Sequence, residues 1–207
     1  MIDLRSSARS FNRGPVAESQ ARVAVMPSPV GHILAGGAVY LAGTKSETGS
    51  RFLLATALVG SIVPDLDFLP GILIGNMRAF HHGISHSMLF AIFFGALNFL
   101  VAYRLAPNVA VRASLLAFLA YASHLLLDFV NVIEGTRGVQ LLWPALHEHL
   151  GINIQAFGHF QYSDIRNGIW SVVRWDNLSP LIREVFILGT VVGVLFLKRR
   201  MVSRSVT

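Results

Sequence analysis

The 207-residue chain is 53% apolar and only 14% charged, carries a formal net charge of +6 and contains no cysteine; its mean hydropathy is +0.57. Without cysteine there are no disulfides, thiolate zinc sites or cysteine nucleophiles, so any metal must be held by nitrogen and oxygen. The apolar residues are gathered in long runs, which points to lipid as the solvent and to one integral membrane domain, while the arginines sit in tails and between runs without the interleaved aromatics of a nucleic-acid groove, so no nucleic-acid partner is expected.

Residues 1–25 are polar, carry Arg5, Arg9, Arg13 and Arg22, and lack the apolar stretch of a secretory signal; they read as a disordered basic tail preceding a membrane domain over 26–207. The first apolar segments, Val30 to Gly43 and Phe52 to Val63, would reach roughly 20 Å as helices, short of the ~30 Å hydrocarbon core, and read as partial spans. His32 opens the first of them. Taken alone, a histidine at a helix start is more often a surface or capping residue.

The second segment ends in Pro64-Asp65-Leu66-Asp67-Phe68-Leu69-Pro70. Its prolines predict an extended turn that aims both carboxylates at one point. A carboxylate can bridge two cations or take a proton from water, which a metal-bound histidine cannot, so Asp65 and Asp67 are the candidate catalytic groups; a helix stop with solvated charges is an equal reading of this motif in isolation. Next come His81, His82 and His86 within six residues, at the mouth of the third segment, Ser87 to Leu105. Gly83 allows a tight bend there, and Ser85 or Ser87 is free to cap or to orient a ring.

The fourth segment, Val109 to Val132, holds His124 and Asp128 four residues apart, on one helix face. In a soluble core a satisfied His–Asp pair would be the better reading, but ionisable groups inside an apolar span point to function. From Trp143 to Pro180 the chain turns polar and reads as a cap, in which His147, Glu148 and His149 are accessory candidates and His159 a loop residue. The fifth segment, Leu181 to Leu197, carries Gly189 and Gly193, a spacing compatible with helix packing or a homo-oligomer.

Helices that run back and forth would bring His32, the Asp65/Asp67 pair, the histidine triplet and His124 with Asp128 to one end of the molecule. The expected fold is therefore all-α: a membrane-embedded bundle of three to five apolar helices with a polar cap between the last two. Lys45, Arg51, Arg104, Arg112 and the Lys198 to Arg204 tail share the other end, so the positive-inside rule favours an extracytoplasmic site. Arg78, Arg137, Arg166, Arg174, Arg183 and the amino-terminal arginines pull the other way.

Met-Pro-Ser-Pro-Val-Gly-His at 26–32, Pro-Asp-Leu-Asp at 64–67, His-His-Gly-Ile-Ser-His-Ser at 81–87, Ser-His-Leu-Leu-Leu-Asp at 123–128 and Leu-Leu-Trp-Pro at 141–144 together resemble the YdjM-type family of bacterial inner-membrane metal-dependent hydrolases. That family is in turn similar to zinc-dependent phospholipase C and the zinc nucleases, all-helical enzymes with multinuclear zinc sites. The resemblance implies ligation by His32, an aspartate of the 65/67 pair, His81 or His86, His124 and Asp128. The chain departs from the family pattern at His82, the middle position of its His-Arg-Gly motif, in a longer segment between Asp128 and Trp143, and in lacking the amino-terminal tryptophan ligand of the soluble enzymes.

Independently of that resemblance, a cysteine-free set of histidine and carboxylate suits Zn²⁺, with Mn²⁺ and Fe²⁺ as competitors. The expectation is a multi-pass inner-membrane hydrolase of phosphoester or phospholipid-type substrates that uses metal-activated water. Its metal set would be His32, Asp65, Asp67, His81, His86, His124 and Asp128. Membrane lipid is the expected neighbour and a small-molecule or lipid phosphoester the expected substrate, its charge neutralised by Arg78 and Arg137. A metal-ion or proton transporter and a non-catalytic regulatory protein with a folding metal are the competing classes; a transporter would need polar groups at mid-membrane and on both sides.

Overall fold

The computed structural model describes residues 24–45, 51–74, 79–132, 137–152, 154, 157–158, 160–162 and 175–204. The expected basic tail, Arg78 and His159 lie outside these residues, apart from Ala24 and Val25 at the end of the tail. Those two belong to a short strand, β1 (Ala24–Met26), paired antiparallel with β2 (Phe160–Tyr162) of the cap, Val25 opposite Gln161. The tie lies at the rim; the body of the protein is all-helical.

Helix α1 (Pro29–Gly43) starts where the sequence supplies both signals for a start. Ser28 accepts the Gly31 N–H through its hydroxyl, and Pro29 occupies the first turn, where no N–H is needed. Helix α2 (Arg51–Gly60) crosses α1 so closely that a side chain on Gly36 would come within 2.8 Å of the Ala57 carbonyl. It stops three residues earlier than the apolar run suggested. The chain then winds into a 3-10 turn, Val63–Asp67, with Pro64 in its first turn, and a short helix α3 (Phe68–Leu73). The axis bends by 50° between α2 and the stretch Val63–Leu73, the geometry of a broken span or a re-entrant loop.

Helix α4 (Met88–Leu105) is capped by the Ser87 hydroxyl, and a short connection leads to α5 (Ala110–Val130); the last helix, α6, covers Leu178–Arg204. Among the described residues, three stretches are long and apolar enough to cross a membrane, Met88–Leu105, Pro107–Val130 and Trp175–Ser203, and the bent pair would make a fourth if it is one span. Half of the α5 window is buried, against 17% for α4 and 11% for α6, so α5 is the central post and α4 and α6 turn most of their surface to lipid. Exposed Phe93, Leu100, Phe186 and Phe196 would be a liability in water but match hydrocarbon.

Packing of α5 relies on small residues. Ala102, Ala110 and Ala113 pack with Leu53 and Leu116 at one end, and Ala91 packs with Tyr121 and Leu125 at the other. Where α4 and α5 cross at Gly95, Ser114 Oγ donates to the Gly95 carbonyl at 2.9 Å, the kind of interhelical hydrogen bond that membranes favour.

Candidate metal centre

The bundle delivers its polar residues to one end. His32 comes from the first turn of α1, Asp65 from the 3-10 turn after α2, His81, His82 and His86 from the loop entering α4, and His124 and Asp128 from the last turns of α5. His32, His86 and His124 are completely buried and Asp128 nearly so. Asp128 Oδ2 lies 3.0 Å from His124 Nε2, 3.4 Å from His86 Nε2 and 3.9 Å from His82 Nε2, while its Oδ1 lies 3.5 Å from His32 Nε2. Asp65 Oδ1 lies 3.4 Å from His124 Nε2 and 3.7 Å from His86 Nε2.

The backbone decides which ring nitrogens are free. His124 Nδ1 donates to the Ser61 carbonyl at 2.8 Å, and His82 Nδ1 donates to the Arg137 carbonyl at 3.1 Å. His86 Nδ1 is 3.1 Å from both Asp67 Oδ2 and Ser85 Oγ; because Ser85 gives its proton to Asp67 at 2.7 Å, the imidazole must donate. Each of these rings therefore presents an Nε2 lone pair inward. Nε2 of His86 and Nε2 of His124 face each other at 3.3 Å, an arrangement that repels unless a cation or proton lies between them.

The carboxylates do not fill that need. Both oxygens of Asp128, Oδ1 of Asp65 and both ring nitrogens of His32 are buried without a hydrogen bond; their neighbours are near enough for ion pairs but not aligned as donors. Orphaned buried groups of this kind cost several kcal/mol each. A divalent ion removes the difficulty, because tetrahedral bonds of 2.0–2.2 Å place neighbouring donors roughly 3.3 to 3.6 Å apart, the spacing found here. Among the described residues the donors fall into three overlapping groups, His32 with Asp65 and His124, His86 with His124 and Asp128, and His81 with His82 and His86. The residues present thus fit a divalent ion and leave room for more than one.

Electrostatics point the same way. Burial opposes a charged His86 ring, yet hydrogen bonds to Asp128, Asp65 and Asp67 outweigh it and raise its pKa well above the usual range: the pocket calls for positive charge. His82, by contrast, is pushed down to about 3 by burial, with His81 adding to the effect, so it is a neutral ring.

All seven residues expected from the sequence meet at this end, though in two layers. His32, Asp65, His86, His124 and Asp128 surround the centre. Asp67 stands behind it, taking His81 Nδ1 at 2.8 Å on one oxygen and His86 Nδ1 on the other, while the His81 ring stacks on Phe68 at 3.8 Å. The extended turn expected around Asp65 is in fact 3-10, and its threefold winding aims Asp65 and Asp67 to opposite edges of His86 rather than at one point. The bend expected at Gly83 is also displaced: His82 takes the left-handed backbone, with φ of 60°, and Gly83 is required because a Cβ there would lie 2.8 Å from the Phe80 carbonyl. His147, Glu148 and His149 are exposed in the cap, and Arg137 reaches the site through its carbonyl while the residue itself is exposed.

The Asp67 hydrogen bonds lead to a direct prediction. Asp67→Asn keeps the size and removes the charge that fixes His86 and His81, so metal affinity should fall about 10- to 100-fold with the ligand set intact. Competition with a coloured chelator measures this; unchanged affinity would mean the two rings are held without Asp67.

One further acid escaped the sequence reading. Glu184 of α6, fully buried in an apolar span, accepts the Ser28 N–H at 2.8 Å and the Ser28 hydroxyl proton, and a side chain at Gly31 would come 2.9 Å from its Oε2. A lone glutamate in such a run was the available signal. Tyr121 contributes unseen as well, its hydroxyl donating to the Ser85 carbonyl at 2.6 Å and pinning the turn that carries His86.

Comparison with known proteins supports the motif reading. Residues 26–202 match the family model described as YdjM inner membrane protein. The inner membrane protein YbcI of Escherichia coli (strain K12) is 31% identical over 105 residues, covering 49% of this chain and 59% of that protein, so the match spans about three fifths of this relative. No solved structure matches the chain.

Proposed function

The chain belongs to the YdjM inner membrane protein family, and on that footing we propose that it is a membrane-bound, metal-dependent hydrolase of lipid or lipid-linked phosphoesters. The observation that carries this reading is the convergence of buried donors from His32, Asp65, His86, His124 and Asp128, among which both ring nitrogens of His32, Oδ1 of Asp65 and both oxygens of Asp128 lack hydrogen-bond partners. Those residues would hold the ion, and zinc is the proposed occupant. When bound, such an ion supplies a Lewis acid and brings water's pKa toward neutrality.

The chain's own groups divide the remaining work. Asp65 has the most exposed side chain of the three carboxylates, 17% against 7% for Asp67 and none for Asp128, so it is the group that meets incoming water and takes its proton. Asp67 is a positioning residue that keeps the rings of His81 and His86 in place. Around the mouth, Leu66, Leu69, Leu73, Ile74, Phe80 and Ile84 are exposed, an apolar rim suited to a substrate that arrives from the lipid phase with its headgroup leading. Transport is the weaker reading, since the clustered donors occupy one end of the bundle.

The test is purification in detergent, metal analysis, and assay of phosphomonoester, phosphodiester and phospholipid panels with wild type and Asp65→Asn. Turnover should be confined to one phosphoester class and fall at least about 100-fold in the variant even at saturating zinc, where the weakened site is still loaded. A metal-loaded wild type without turnover on any panel would leave only a folding or regulatory role for the ion.

A further inference from the structure

His82 is the residue whose placement neither the expected ligand set nor the mechanism uses. It adopts the left-handed backbone at φ 60°, a conformation that costs a bulky side chain of order 1 kcal/mol and persists only when the surroundings hold it there. The segment 137–140, between α5 and the cap, grips it twice: the Arg137 carbonyl takes the Nδ1 proton at 3.1 Å, and the His82 carbonyl takes the Gln140 N–H at 3.3 Å. With Nδ1 committed, the buried Nε2 makes no hydrogen bond and points at Asp128 Oδ2, 3.9 Å away.

That oxygen is the one that also meets His86 and His124. The 3.9 Å separation is only about 0.3 Å beyond the tetrahedral spacing of roughly 3.3 to 3.6 Å, so a shift of a few tenths of an ångström brings the two donors onto one ion. The His82 ring also lies beside its two neighbours, with centroids 4.1 Å from His81 and 4.9 Å from His86. A ring with only a structural duty would gain nothing from strain that turns its one free nitrogen into a dry pocket of carboxylate and imidazole.

We infer that His82 is itself a metal donor: it completes, with His86 and Asp128 Oδ2, a divalent-cation position on the side of the centre that segment 137–140 covers. The inference rests on the metal-centre reading above and extends it to segment 137–140, which by orienting His82 becomes part of the coordination apparatus.

The experiment uses the full chain in detergent, loaded with zinc and competed with a calibrated chelator, for wild type, His82→Gly, His82→Asn and His124→Ala. Glycine accepts the left-handed backbone without strain and asparagine tolerates it, so both variants remove the imidazole while sparing the turn. The expected result is a zinc affinity at least about 10-fold weaker, or fewer zinc ions per chain, in both variants. Free imidazole, which can enter the space left by His82→Gly, should restore zinc binding there and leave wild type unchanged. Zinc bound by both variants as tightly and in the same number as by wild type, while His124→Ala loses it, would overturn the role of His82 and leave the metal centre standing. No zinc on wild type would overturn both. If His82→Gly does not fold, His82→Asn decides.

Discussion

Replacing His124 with alanine should strip the protein of its divalent metal, with affinity falling by at least about 100-fold and hydrolysis with it. His124 belongs both to the group with His32 and Asp65 and to the group with His86 and Asp128, and it stacks on His32 at 3.8 Å. Its Nδ1 is fixed by the Ser61 carbonyl, so its Nε2 has no freedom to serve anything but the centre. Alanine would leave Asp65 and Asp128 closer to unopposed, raising the cost of their buried charges. Chelator competition gives the affinity and circular dichroism the helical content. Zinc held as tightly by a folded His124→Ala protein would refute the convergence described here.

A second large effect is expected far from the centre in sequence. Glu184→Ala should destabilise the folded protein by about 3 kcal/mol, because it leaves the Ser28 N–H and hydroxyl without their acceptor and opens a void beside Gly31. Hydrogen bonds between membrane helices average only about 0.6 kcal/mol, so two ordinary ones would cost about 1.2 kcal/mol; the surplus reflects the void and the buried Ser28 donors left without an acceptor. Glu184→Gln keeps one acceptor and the volume, and should cost about 1 kcal/mol. Since Ser28 caps the helix that carries His32, the alanine variant should also bind metal more weakly than the glutamine variant. Reversible unfolding in mixed detergent micelles measures the difference. A cost under 1 kcal/mol for alanine would mean that α6 is not anchored to α1 through this carboxylate.

The sequence made the layout of the centre readable because length and polarity are one-dimensional signals. His32, Asp65, His86 and His124 with Asp128 stand at alternate ends of apolar runs, and helices connected by short loops have few ways to avoid bringing such ends together. What stayed hidden depends on angles or on remote contacts. Pro64 marks a break equally well in an extended turn and in a 3-10 turn, yet only the latter sends Asp67 behind His86. His82 reads as a spare histidine until its backbone is seen to be left-handed. Glu184 finds Ser28 across 156 positions, a pairing that no local pattern encodes, and the β1–β2 ladder joins two three-residue pieces too short to register as strands.

That ladder limits how anything can enter. It clips the strand leading into α1 to the cap that precedes α6, and the Glu184 carboxylate fastens the same two helices a few residues further on. Among the described residues, the first and last helices are thus tied together twice at this end. To the proposed lipid-borne substrate, the exposed Leu66, Leu69, Phe80 and Ile84 beside Asp65 offer the apolar approach that this doubly tied seam does not.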